Sequence, residues 1–156
     1  EQAERVVQAA KFPPIGDRSH AGPRIHVRHG QDCIDRANRE QLLMLQMESP
    51  QAIENAEAIA AINGVDALML APSDLGIRLG LPPGSSLASD EIMAAADRVG
   101  AACIRHGKAC LAIAREQDHI RRFIDKGFRL FLVGGDSLFL EEGARTDNQK
   151  SAGVQF

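Results

Sequence analysis

Apolar and polar positions alternate along this chain in blocks, and the blocks pair up as strand followed by helix. Met44, Leu45 and Met47 mark a buried strand near 42–47. Ser49 then reads as a helix cap and Pro50 as the first helical position of a helix running to about Ile62. "VDALMLA" (65–71) predicts a second strand, followed by a loop with one short helical turn around 74–79. Ser89, Asp90 and Glu91 predict a strong helix start, its acids suited to the positive end of the helix dipole, and Gly107 ends that helix near His106. "KACLAIA" (108–114) predicts a third strand, 116–126 a helix closed by Gly127, and "FRLFLVGG" (128–135) a fourth strand. Asp136 caps a last helix near 137–142, and 143–156 read as a polar tail.

Upstream, Ala3, Val6, Val7 and Ala10 share one helical face within residues 1–10. "KFPPIGDRSHAGPR" is a Pro/Gly-rich loop, and 31–40 carry a weak helical pattern. Four nearly all-apolar strands joined by helices imply a parallel α/β sheet covered on both faces. A complete eight-unit barrel needs about 250 residues, so 156 residues form one domain with half of such a barrel, or a small open sheet.

Composition narrows the function classes. Hydrophobic residues make up 44% and charged residues 25%, as in a soluble globular protein. A net charge of -3 offers no basic footprint for nucleic acid or membrane, and 4% aromatics without Trp or Tyr offer no base-stacking platform. Cys33, Cys103 and Cys110 include no CxxC pair, so reduced thiols in a cytoplasm are expected. The chain opens without Met on a helical pattern, which suggests that its beginning is missing or processed.

Two acids stand where chemistry is expected. Glu48 ends the first strand and Asp74 follows the second, and in parallel α/β folds ligand sites lie at the carboxyl ends of strands. Two carboxylates there could hold Mg2+ or Mn2+, hard ions that take oxygen ligands. Alternatively, Asp74 or Ser73 caps the following helix and Glu48 is a solvated strand end.

"KFPPIGDRS", "LQMES" and "GVDALMLAPSDLG", in this order and spacing, resemble the metal-dependent class II pyruvate aldolases of the 4-hydroxy-2-oxoheptanedioate and 2-dehydro-3-deoxyglucarate aldolase type. "GKACLAIA" and "KGFRLFLVGGD" fall where that family has its seventh and eighth strands, so the chain is similar to the carboxyl-terminal half of the barrel. The resemblance implies that Glu48 and Asp74 bind the divalent ion, Mg2+ or Mn2+ with Co2+ also compatible. It implies that Gln46, on the strand face of Glu48, contacts substrate, and that Ser73 and Asp74 offer backbone N–H groups to the pyruvate carboxylate. The implied reaction is cleavage of a 2-oxo-3-deoxy or 4-hydroxy-2-oxo acid to pyruvate and an aldehyde through a metal-stabilised enolate, in a homo-oligomer. Ser19 and Ala71 replace family glycines. The family's D-G-E-H motif and its enolate-stabilising arginine have no counterpart in this sequence, so no catalytic acid–base residue can be named. Two rival readings are a non-catalytic half-barrel module and a related acyl-CoA lyase.

Other features read more plainly. His20, His26 and His29 lie among Arg24 and Arg28, whose charge argues against a cation, so a solvated or partner-facing loop is expected. "VGGD" (133–136) reads as a tight turn in preference to a phosphate cradle. Arg121, Arg122, Glu141 and Glu142 read as solvated faces. Arg78 could reach the rim, although a surface charge is its simplest role. Met44, Met47, Met69 and Met93 read as core filler.

Overall fold

All four apolar runs form strands in the computed structural model, which describes residues 1–20, 22–82 and 89–151. The strands are β1 (Met44–Met47), β2 (Ala67–Leu70), β3 (Ala109–Ile113) and β4 (Leu130–Leu132). They pair in parallel in the order β1-β2-β3-β4, each next to its neighbour in sequence. Parallel neighbours require a crossover. Here α4 (Pro50–Glu54) with α5 (Ala56–Ala60), then α6 (Pro72–Arg78) with α7 (Asp90–His106), then α8 (Gln117–Asp125) provide them. Before β1 come α1 (Gln2–Ala10), α2 (Arg24–His29) and α3 (Cys33–Glu40), and α9 (Asp136–Ser151) follows β4.

The register separates two faces. Met47, Leu68, Leu70, Cys110 and Ala112 turn toward the helices and join one core with Ile53, Ala60, Ile92, Val99, Cys103 and Phe123. Gln46, Met69, Leu111 and Leu130 align across the other face, where Leu130 and Leu132 are exposed. Small residues let α7 lie close to its neighbours: Ala95, Ala96, Gly100 and Ala102 are all buried along it. Phe123 and Phe128 close the far end of the core edge-to-face, 5.1 Å between ring centres.

Several helix ends fall where the residue chemistry places them. Ser49 Oγ accepts from the Ala52 N–H at 3.2 Å, and Ser89 Oγ from the Ile92 N–H at 3.3 Å. Gly107 ends α7 in the left-handed region at φ 62°. Several boundaries differ from the sequence reading, among them β4, which spans only Leu130–Leu132 of the expected 128–135. The helix after β1 breaks at Asn55 into α4 and α5. Arg24–His29, expected as loop, is helical. The last helix runs to Ser151, well past 142, and residues 152–156 of the expected tail lie outside the described residues.

Candidate functional site

Glu48 is fixed by what lies on either side of it. Met47 before it is buried and holds the strand in the core, while Ser49 after it caps α4 and Pro50 starts that helix. The Glu48 carboxylate therefore leaves the sheet at the carboxyl end of β1. One strand over, the Ala71 N–H donates to the Met47 carbonyl at 3.3 Å, extending the pairing of Met47 with Leu70 by one step. Ala71 and Pro72 are buried, and Ser73 and Asp74 emerge exposed in the first turn of α6. Glu48 and Asp74 thus leave neighbouring strands at the same end of the sheet. Ala71 at the N-cap makes no side-chain bond to the first-turn amides of α6.

Asp74 and Arg78 are four residues apart on α6 and share a helix face. From that face Arg78 reaches across: its Nη2 donates to Glu48 Oε1 at 3.5 Å, with the two side chains 50% and 33% exposed. Arg78 is therefore the rim partner of Glu48 and not simply a surface charge. A cleft of about 640 Å³ lies between α1, α4–α5 and the edge of β1 and reaches the pair, where Gln46, Glu48, Ser49 and Arg78 line it. Gln46 is exposed at its mouth, two residues before Glu48 on the same strand face. Ser73 and Asp74 stand on α6, outside the residues lining this cleft.

The donor set is hard oxygen, which suits Mg2+ or Mn2+. Among the described residues no three His, Cys, Asp or Glu side chains converge as a metal cluster. A cation shared by Glu48 and Asp74 would draw its remaining oxygens from water and substrate. The Arg78 guanidinium is a positive charge that faces Glu48.

The remaining candidates have other partners. His26 meets His20 through their Nε2 atoms, with ring centres 4.6 Å apart, and its Nδ1 lies 3.4 Å from Cys33 Sγ. The Gly22 N–H donates to His20 Nδ1 at 3.2 Å, and His29 lies apart on the exposed side of α2. At "VGGD", the Gly135 carbonyl accepts from the Phe139 N–H at 3.0 Å, and a Cβ on Gly134 would fall 2.3 Å from the Phe139 ring. That is a tight turn under an aromatic lid. Arg121 pairs with Asp118 and Glu141 with Arg145, while Glu142 accepts from Arg115 at 2.8 Å. Cys33, Cys103 and Cys110 are free and buried.

Two polar clusters have no signal in the sequence. Lys11 is buried and donates to Asp66, Gln41 and Asn38. Glu57 on α5 accepts from Arg105 and sits 2.7 Å from His106 Nε2. Arg105 donates a strong hydrogen bond to Glu57, with His106 next in weight, and together they hold that carboxyl below its ordinary range.

Residues 1–141 match the family described as HpcH/HpaI aldolase/citrate lyase. The 4-hydroxy-2-oxovalerate aldolase of Novosphingobium aromaticivorans is 34% identical over 145 residues, 92% of this chain and 55% of the relative. The hydroxypyruvate/pyruvate aldolase of Delftia acidovorans is 34% identical over 147 residues, 92% of this chain and 54% of that one. The chain spans about half the length of the curated relatives it matches. Among solved structures, an HpcH/HpaI aldolase/citrate lyase family protein from Burkholderia cenocepacia J2315 superposes with a TM-score of 0.82 at 30% identity, over 96% of this chain and 60% of that one. The HpcH/HpaI aldolase from Desulfitobacterium hafniense DCB-2 gives 0.83 at 23% identity over 97% and 60%, a likeness of fold alone. The four strand–helix units are therefore those of a TIM-type barrel.

Proposed function

The chain belongs to the HpcH/HpaI aldolase/citrate lyase family, and on that premise we propose that it carries the metal- and pyruvate-binding side of a carbon–carbon lyase. Its substrate class is a 2-oxo-3-deoxy or 4-hydroxy-2-oxo acid, split to pyruvate and an aldehyde. The observation that supports this most is the exit of Glu48 and Asp74 from adjacent parallel strands at one end, tied by the Ala71-to-Met47 hydrogen bond.

Glu48 and Asp74 would hold the divalent ion, Mg2+ or Mn2+. When bound, such an ion supplies Lewis acidity toward the carboxylate and keto oxygens of a 2-oxo acid. Gln46, at the mouth of the cleft, would orient the substrate by hydrogen bonding. Ser73 and Asp74 would present their first-turn N–H groups to the carboxylate. The free buried thiols support a reducing, cytoplasmic setting. The family resemblance implies a homo-oligomer as the assembly.

Pyruvate methyl exchange in heavy water, followed by NMR with and without Mn2+ or Mg2+, tests the reading. Metal-dependent exchange lost in Glu48→Ala and in Asp74→Ala is the expected result. Folded protein that binds the ion and leaves the methyl group unexchanged would mean that this chain holds the ion without the catalytic half and is a remnant or binding module.

A further inference from the structure

We propose that Arg78 is a built-in counter-ion that competes with the divalent cation for Glu48, so that cation binding and Arg78 release are one linked event. The inference rests on the reading of Glu48 as a metal ligand. It begins from the position of Arg78 on the same face of α6 as Asp74 and its reach to the carboxylate ending the adjacent strand. The guanidinium thus contacts one of the two acids that a cation would share, from the helix that carries the other.

The contact is of the kind that can be displaced. One nitrogen meets one oxygen at 3.5 Å, without the bidentate geometry of a strong Arg–carboxylate pair. The guanidinium is half exposed, so water is ready to replace the lost partner, and the cleft beside it gives the side chain room to move. A divalent ion held by Glu48 would compete with the guanidinium for the carboxylate charge and place a second positive charge next to it. Both effects drive the arginine outward into the cleft. By linkage, whatever the ion does to Arg78, Arg78 does to the ion: it weakens cation binding by the same factor.

The test is Mn2+ affinity, measured by electron paramagnetic resonance of free Mn2+, for wild type, Arg78→Gln, Arg78→Lys and Glu48→Gln. Arg78→Gln should bind Mn2+ more tightly, by about two- to five-fold on the scale of exposed ion pairs. Arg78→Lys keeps the charge on a single-point ammonium and should fall between the two. Circular dichroism confirms that each variant is folded, as expected for a half-exposed side chain. Unchanged or weaker Mn2+ binding in Arg78→Gln, with binding still lost in Glu48→Gln, overturns the competition and leaves the metal reading standing. Wild-type protein that fails to bind Mn2+, or binds it as well after Glu48→Gln, overturns the metal reading and the competition together.

Discussion

The Lys11 ammonium lies 2.8 Å from Asp66 Oδ2, with Lys11 only 1% exposed and its partner about one third exposed. The same nitrogen donates to the carbonyls of Gln41 at 2.7 Å and Asn38 at 3.3 Å, so all three of its protons have acceptors. The same Asp66 oxygen also accepts from the Leu43 N–H at 2.7 Å. One buried charge therefore joins the loop after α1, the end of α3 and the starts of β1 and β2. This is the end of the sheet opposite Glu48.

The two partners should differ in what their loss costs. Asp66→Ala leaves a buried ammonium without its counter-charge and should cost about 3–5 kcal/mol. Lys11→Met leaves a carboxylate that water can reach and should cost about 1–3 kcal/mol. Urea denaturation checks the order. Neither change should alter Mn2+ affinity, because the pair sits at the far end of the strands.

Gly100 sets how closely α7 approaches the end of α8. A Cβ there would lie 1.9 Å from the Lys126 carbonyl oxygen, a backbone atom that cannot swing aside. Gly100→Ala should therefore destabilise by about 1–3 kcal/mol through overpacking, although alanine is the better helix former by about 1 kcal/mol. Ala101→Gly, at the exposed neighbouring position, loses only that propensity. Thermal melting of both variants should rank Gly100→Ala as the more damaging.

Local chemistry explains which parts of the fold the sequence reveals. Ser49, Pro50, Ser89 and Gly107 act on their own neighbours, and each helix end they mark is found. The apolar runs around Leu45, Leu68, Cys110 and Phe131 need only burial to become strands. α9 is different, because its second half has no apolar face to show a period. It is instead laced by Arg145–Glu141 and Lys150–Asp147 pairs, and polarity there reads as a tail. The break at Asn55, whose side chain donates back to the Gln51 carbonyl, is likewise invisible to periodicity. At the site, the motifs single out Glu48 and Asp74, but the Arg78 contact joins residues 30 apart and Lys11–Asp66 joins residues 55 apart. Such pairs exist only once the strands are assembled.

Glu57 gives the surface a pH-dependent contact. Its carboxyl is held below the ordinary range chiefly by the hydrogen bond from Arg105, then by that from His106. A depressed folded-state value means that the contribution is full above the unfolded-state value and is lost as pH falls through the folded one. The loss thus belongs to acid conditions at and below the ordinary carboxylate range. Arg105→Ala should move the Glu57 titration upward, read from its side-chain carbon shifts by NMR. An unmoved titration would show that the Arg105 contact is too solvated to matter.

Gln46 separates substrate binding from metal binding. Its amide is uncharged, a poor ligand for a hard divalent ion beside two carboxylates, yet it sits on the strand face of Glu48 at the mouth of the cleft. A neutral hydrogen-bonding group placed there can position a 2-oxo acid without holding the ion. Gln46→Ala should leave Mn2+ affinity unchanged and weaken pyruvate binding to the Mn2+-loaded protein by about two- to ten-fold, the worth of one hydrogen bond. Gln46→Glu should do the reverse. A third carboxylate at that position strengthens Mn2+ binding and repels the pyruvate carboxylate. Calorimetric titration of each variant with Mn2+, then with pyruvate, reads the two affinities independently. Equal losses of metal and pyruvate binding in Gln46→Ala would instead mean that this strand end responds as one unit, with Gln46 acting through the placement of Glu48.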